Sequence, residues 1–255
     1  MKLLFKLSTQ KTCIPVLNTI LVKDGIAWGS DVDCYISHPC YKPDGLYDAS
    51  KTKIGIWQSS IDNDPSDFPQ IPNELTSMIF SAHDRPVESL KWVSKAMCND
   101  ESQYYLCGVY FDTQYLVATN GHILKRIEQS GPLKPFIMPD FMVEAIIASG
   151  SNKYSVCFNG EHIFVRSGDY KIISKAIDGN YPDYERVIPA DRDTGIPFNT
   201  DSFKVILKRV KELDKVGLSK TRLVKLYKNG MAEYVGNSDI LESFGKITTI
   251  GLPYD

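Results

Sequence analysis

The chain has 255 residues, of which 43% are hydrophobic and 24% charged, close to ordinary soluble averages, which excludes disordered, collagen-like and coiled-coil chains. Its 29 basic and 31 acidic residues leave a net charge of -2, so any binding to nucleic acid must come from local asymmetry, not bulk charge. The longest apolar run near the N-terminus, Leu3 to Phe5, is far too short for a signal-peptide core or a membrane helix, and a cytoplasmic protein with no membrane partner is expected.

Residues 1–75 carry short β-like runs at 20–22, 26–28, 34–37 and 53–57, set between Asp, Gly, Pro and Ser clusters, and no helix is read there. Beyond them Asp84 is expected to cap a helix with Pro86 at an early position. Val87, Leu90, Val93 and Met97 then recur at three- and four-residue spacing. Strands are predicted at 105–111 and 115–119, followed by the turn dipeptide Asn120-Gly121 and by Ile123 and Leu124. A second helix is predicted over 140–148 behind Pro139, and strands over 154–158, 162–166 and 171–176, the first two joined through Asn159-Gly160. A third helix spans 201–216 with Phe203, Ile206, Val210 and Leu213 on its apolar face, and strand-like segments near 223–227, 232–235 and 246–252 close the chain.

The six cysteines contain no CxxC pair and mostly sit in apolar runs, so structural thiols are expected in preference to zinc or redox use. None of the four histidines is spaced with another histidine or a cysteine as a metal site requires, and neither a metal nor a cofactor is expected. The chain has no GxSxG, P-loop, GxGxxG or HExxH motif. Its Asp178, Asp183, Asp191 and Asp193 lie in loop-like sequence without a matched partner set, so no catalytic residue and no enzyme is predicted.

Weak internal repetition is the main organising signal. Residues 19–31 align without gaps on residues 108–120 as strand, short turn, strand, small residue, hydroxyl, Asx. Ser60-Ile61-Asp62-Asn63 with Asp67-Phe68-Pro69 and Ile71-Pro72 echoes Ala176-Ile177-Asp178-Gly179 with Asn180-Tyr181-Pro182 and Ile188-Pro189. Asn159-Gly160 after one helix is matched by Asn229-Gly230 after another. The chain reads as variations on a helix followed by antiparallel strands.

Gln103-Tyr104-Tyr105-Leu106-Cys107-Gly108 and Val117-Ala118-Thr119-Asn120-Gly121-His122-Ile123-Leu124 resemble the RYYLNG and VATDGHRL stretches of the bacterial β sliding clamps, the processivity subunits of DNA polymerase III. Residues 177–189 are similar to the same family's VDGRFPDYRRVLP. The resemblance implies an α+β DNA clamp fold of antiparallel sheets with paired helices. It implies a complete middle domain at 76–190, a truncated first domain at 1–75 and the second half of a third at 191–255. Because family members are longer, a shortened clamp of the kind a phage encodes is expected.

The implied function is a sliding clamp that encircles duplex DNA without reading its sequence and tethers a replicative polymerase. Lys204, Lys208, Lys211 and Lys215 form a basic stripe on the third helix, and residues 197–229 hold nine basic against three acidic residues. Arg85, Lys91 and Lys95 repeat the arrangement on the first helix, and Tyr104 and Tyr105 match a position that contacts DNA in the family. Carried over from the family, a pocket for short peptides of polymerase and clamp loader comprises Leu106, Thr119, Gly121, His122, Leu124, Pro182, Arg186, Val187, Ile250 and Leu252. Ile123 stands where the family usually has arginine. A homo-oligomeric ring, dimer or trimer, is implied. The competing expectation is a clamp-fold decoy or adaptor that binds replication proteins without enclosing DNA.

Overall fold

The computed structural model describes residues 1–8, 13–51, 57–60, 64–72, 84–129, 134–188, 200–215, 223–226, 231–235 and 250–251. They fall into two compact units, Met1–Pro182 and Asp183–Asp255.

The first unit opens with a helix, α1 (Lys2–Ser8), in the stretch where the sequence predicts none. Seven residues are too few to show a helical period, and so short a helix does not stand alone in water. Its stability comes from Leu3, Leu4 and Leu7, which are buried. They pack against the strands that follow, β1 (Thr19–Lys23), β2 (Ile26–Ser30) and β3 (Cys34–Pro39). A fourth strand, β4 (Gly45–Asp48), pairs with β1 and was not predicted, being only four residues long. Most of the predicted strand at 53–57 lies outside the described residues.

Arg85 and Pro86 form the short strand β5, and α2 (Val87–Ser94) begins one residue later. Pro86 is extended (φ -68°, ψ 130°) and is itself the capping residue, so the expected cap at Asp84 is corrected. Proline disfavours helical backbone in the residue before it, which pushes Arg85 into a strand. Asp84 accepts a hydrogen bond from Ser155 Oγ at 2.8 Å instead. The expected strand at 105–111 is divided: Glu101–Leu106 form a 3-10 segment capped by Asp100, which accepts from the Ser102 N–H at 2.9 Å, and β6 covers only Gly108–Phe111.

β7 (Tyr115–Thr119), β8 (Leu124–Glu128) and an unpredicted β9 (Phe136–Pro139) follow. Then come α3 (Asp140–Ala148), with the predicted bounds, and β10 (Lys153–Phe158), β11 (His162–Ser167) and β12 (Tyr170–Lys175).

The strands make two antiparallel sheets, ordered β4-β1-β2-β3-β12-β11-β10-β5 and β8-β7-β6-β9. The sequence repeat reappears at the level of register. Leu21 faces Trp28 and Val22 faces Ala27 in the first copy, and Tyr110 faces Val117 and Phe111 faces Leu116 in the second. The order β4-β1-β2-β3 is likewise reproduced as β9-β6-β7-β8. A second relation links β5-α2-β6-β7-β8 to β9-α3-β10-β11-β12. These two repeats, both within the first unit, exchange their first strands, β9 pairing with β6 and β5 with β10.

The large sheet is buried on both faces. Ala27, Cys34, Ile36, Ile163, Val165 and Ile172 point to the core beneath the helices. Trp28, Tyr35, Phe164 and Ile173, each next in sequence to one of these, point to a second cluster with Val16, Leu17, Leu46 and Phe68. Alternate residues of a strand face opposite sides, so this pattern follows directly from the pleat.

The second unit holds a 3-10 turn (Tyr184–Val187), α4 (Thr200–Lys215) and the sheet β13-β14-β15 (Leu223–Leu226, Met231–Val235 and Ile250–Gly251). Phe203, Ile206, Val210 and Leu213, the expected apolar face of α4, have side chains outside the described residues, as has the Asn229-Gly230 turn.

Gly108 starts β6 where it crosses β9. A Cβ there would overlap the Met138 carbonyl oxygen and meet Ile137 Cγ2 at 2.9 Å. Gly108→Ala is expected to cost about 1–3 kcal/mol of stability, because a backbone carbonyl in a central pairing cannot move aside. A urea unfolding midpoint unchanged from the parent chain would contradict this.

Candidate DNA-facing and peptide-binding surfaces

The β7–β8 hairpin presents most of the predicted peptide-binding residues of the first unit. Asn120 Oδ1 accepts from the backbone N–H groups of His122 (3.1 Å) and Ile123 (3.0 Å). Thr119 Oγ1 donates to the Ile123 carbonyl at 2.8 Å and accepts from the Gly121 N–H at 3.1 Å. Gly121 takes φ +84°, a conformation that glycine adopts without steric cost. These bonds fix a tight turn that holds Gly121, His122 and Ile123 in solvent, with Thr119 and Leu124 half-buried at its base.

Pro182 is brought towards the same region by its neighbour. Tyr181 stacks on Tyr110 (centroids 4.6 Å apart, planes 7° apart), and its hydroxyl lies beside the Thr119 backbone. Sequence reasoning passed over both tyrosines. The signal was present, since Tyr181 immediately precedes Pro182 in the family-like stretch and Tyr110 belongs to the repeated strand. They also line a cleft of about 550 Å³ with Phe136, Phe158, Glu161 and Asp178, which none of the predicted pocket residues lines.

Leu106 is buried, so within the first unit it is part of the packing beneath the surface. Arg186 and Val187 belong to the second unit, where both are exposed on the 3-10 turn, Val187 at 69%. Arg186 Nε is 2.8 Å from Asp183 Oδ2. Ile250 lies in β15, and Leu252 is outside the described residues.

The basic residues divide less evenly than the sequence implies. Lys91 on α2 and Lys95 at its C-cap are exposed, Lys91 sharing an ion pair with Glu88 at 3.2 Å. Arg85 is corrected. It is 7% exposed and faces Tyr154 across the β5–β10 pairing, and burial lowers its pKa. A guanidinium held there supports the sheet and does not join the exposed stripe.

Lys204, Lys208 and Lys211 are exposed on α4, with Lys204 paired to Asp201 at 2.9 Å, while the side chain of Lys215 is outside the described residues. Tyr104 is 53% exposed and Tyr105 half-buried, their rings edge to face at 5.7 Å.

Three further features went unread in the sequence. Lys2 and Lys6 are exposed on α1, missed together with that helix. Trp92 is 47% exposed on α2, beneath the ammonium of Lys125 at 4.8 Å from the ring centre. On α3 the exposed ionisable residues are acidic, Asp140 and Glu144, the latter 3.5 Å from Lys6. Among the described residues no His, Cys, Asp and Glu cluster is suited to a metal, and no helix is long and apolar enough to cross a membrane.

Burial also raises the pKa values of Tyr154 and Tyr181 well above the ordinary 10, with Arg85 opposing the rise at Tyr154 and the Thr119 backbone opposing it at Tyr181. The neutral phenols are therefore favoured in the folded chain. Their contribution to stability is complete below the unfolded-state pKa and declines as pH rises through the folded-state value. Tyr181→Phe is expected to lessen the alkaline loss of stability, read as urea midpoints between about pH 8 and about pH 11. Parallel pH curves for parent and variant would show that the Tyr181 phenol is not held neutral by burial.

No family model matches the chain. It is 29% identical to the β sliding clamp of Escherichia coli K12 over 174 residues, 64% of this chain and 47% of that protein. The chain thus spans about half the length of the relatives it matches. Among solved structures, the DNA polymerase III β chain of Streptococcus pneumoniae superposes with a TM-score of 0.71 at 20% identity, covering 94% of this chain and 78% of that one. The Pseudomonas aeruginosa sliding clamp bound to griselimycin gives 0.68 at 19%, covering 91% and 75%. The fold of this chain is that of the sliding clamps.

Proposed function

We propose, from the premise that the chain is a divergent member of the bacterial β sliding clamp family, that it is a DNA sliding clamp which encircles duplex DNA and tethers a replicative polymerase. The observation that carries this reading is the extent of the fold match, which takes in more than nine-tenths of the chain and so includes the repeated strand units along with the motif-bearing segment. A clamp holds without transforming, and the role assigned to the chain is binding. No observation favours the decoy over the clamp.

In this reading the three-domain division at residues 1–75, 76–190 and 191–255 describes clamp domains, two of them reduced. Chains associate head to tail, so that complementary but different surfaces meet and a ring closes. Lys91 on α2 and Lys95 at its C-cap, and Lys204, Lys208, Lys211 and Lys215 on α4, meet DNA phosphates. Tyr104 and Tyr105 rest against sugars or bases. Lysine suits this task, because a hydrated point charge on a flexible stem attracts phosphate without fixing register, and a clamp must slide.

Polymerase and clamp loader are held elsewhere, through Thr119, Gly121, His122, Leu124 and Pro182 of the first unit, with Leu106 packed beneath them, and through Arg186, Val187, Ile250 and Leu252 of the second. Aliphatic walls take leucine or phenylalanine anchors, and Arg186 holds a peptide carbonyl or carboxylate. Replacing the family's arginine with Ile123 removes a cation at the exposed hairpin tip and shifts peptide preference towards apolar residues.

Two experiments test the reading. Protein loaded on nicked circular DNA should be retained until the circle is linearised and should then run off the ends; equal, salt-sensitive binding to circles and linear DNA would overturn encirclement. The pair Lys208→Glu and Lys211→Glu should weaken DNA association at least tenfold and leave peptide binding unchanged, whereas Arg186→Ala with Leu252→Ala should do the reverse. Parallel loss of both activities in both variants would refute two separate surfaces.

A further inference from the structure

Two of the six cysteines stand together. Cys98 follows α2 and Cys107 precedes β6, at opposite ends of the 3-10 segment Glu101–Leu106. Their sulfurs converge on one carbonyl oxygen, that of Asp100, at 4.0 Å from Cys98 Sγ and 3.3 Å from Cys107 Sγ. Each sulfur also lies within electrostatic reach of the other. A backbone bond from the Cys98 N–H to the Leu106 carbonyl (3.1 Å) draws the two chain ends together. Both residues are half-buried, open enough for a small oxidant to reach, whereas Cys34 and Cys40 are buried.

We propose that Cys98 and Cys107 are a redox pair that closes into a reversible disulfide when the protein meets hydrogen peroxide. The inference does not depend on the clamp reading. It departs from the expectation of purely structural thiols, and it uses a feature of this chain, since Cys107 stands where the family stretch has asparagine.

The surroundings assign different tasks to the two sulfurs. Cys98 Sγ accepts the Asp100 backbone N–H at 3.4 Å, whereas Cys107 Sγ donates to the carbonyl oxygens of Asp100 (3.3 Å) and Gln103 (3.7 Å). Burial and the nearby Cys98 raise the pKa of Cys107, so it retains its proton while Cys98 reacts. The Cys98 thiolate attacks one peroxide oxygen, the O–O bond breaks, and hydroxide leaves, taking up the proton released from Cys98 to become water. Cys98 is now a sulfenic acid. The Cys107 sulfur then attacks the Cys98 sulfur. The S–O bond breaks, and the departing oxygen leaves as a second water with the Cys107 proton. Two thiols are oxidised by two electrons in total, and one peroxide is reduced to two waters. The new bond closes a short loop that holds Tyr104, Tyr105 and Leu106, and a dithiol reductant reopens it by exchange.

The test uses the reduced full chain treated with a small excess of hydrogen peroxide, alkylated with iodoacetamide and cleaved after Glu101, which lies between the two cysteines. Mass spectrometry should find the Cys98 and Cys107 fragments joined, separating when reduced. In Cys98→Ser and in Cys107→Ser the joined species should fall at least tenfold. Alkylation of both cysteines after peroxide, or linkage of either to another cysteine, would overturn the proposal. So would over-oxidation of Cys98 beside an intact Cys107 thiol.

Discussion

The first unit depends on one seam, the antiparallel pairing of β3 with β12. Ser37, Ile36, Tyr35 and Cys34 face Lys171, Ile172, Ile173 and Ser174 in register, and the polar ends flank an apolar middle. Without this pairing β3 and β12 would each be an exposed edge with unpaired N–H and C=O groups, the usual liability of open sheets. With it, two four-stranded arrays become one sheet of eight strands. The alternation along both strands then feeds two hydrophobic clusters at once, so a one-residue slip would turn Ile172 and Ile173 each to the wrong side. Register at the seam is therefore strongly specified, although the partners lie more than a hundred residues apart in the chain.

The electrostatics follow from the same economy. The chain is slightly acidic overall; α1, α2 and α4 carry exposed lysines, as do strands and loops at Lys23, Lys42, Lys134, Lys153 and Lys175, while α3 presents Asp140 and Glu144. Ion pairs such as Lys6–Glu144, Lys91–Glu88 and Lys204–Asp201 lie on the surface, where such pairs add little to stability. Their consequence is a patchwork of charge. Salt screens such exposed charges readily.

Most of the repeat was legible in sequence because strand pairs with two-residue turns leave a local signature, and the gap-free match of residues 19–31 to 108–120 proved to be a match of register. The unread parts are those whose stability is non-local. α1 has only three buried leucines and needs the sheet beneath it, and β4 and β9 are four-residue strands that form by pairing with β1 and β6, earlier in the chain. Arg85 looked exposed because a charge beside a helix start usually is. The proline after it put it in a strand, and the phenol of Tyr154 across the pairing gave it a neighbour. Of the candidate surfaces, the lysines and the Asn120-Gly121 turn could be read from spacing alone. Trp92 under Lys125 and the Tyr110–Tyr181 stack could not, since each joins residues distant in sequence.

The exchange of first strands has a consequence for how the chain could be divided. A cut between β8 and β9 would leave β5 in one fragment, where its partner β10 is absent, and β9 in the other, separated from β6. Neither piece could finish its own sheet, yet each would carry the strand that the other lacks. The two halves of this architecture are thus natural complementing fragments, mutually templating and individually incomplete.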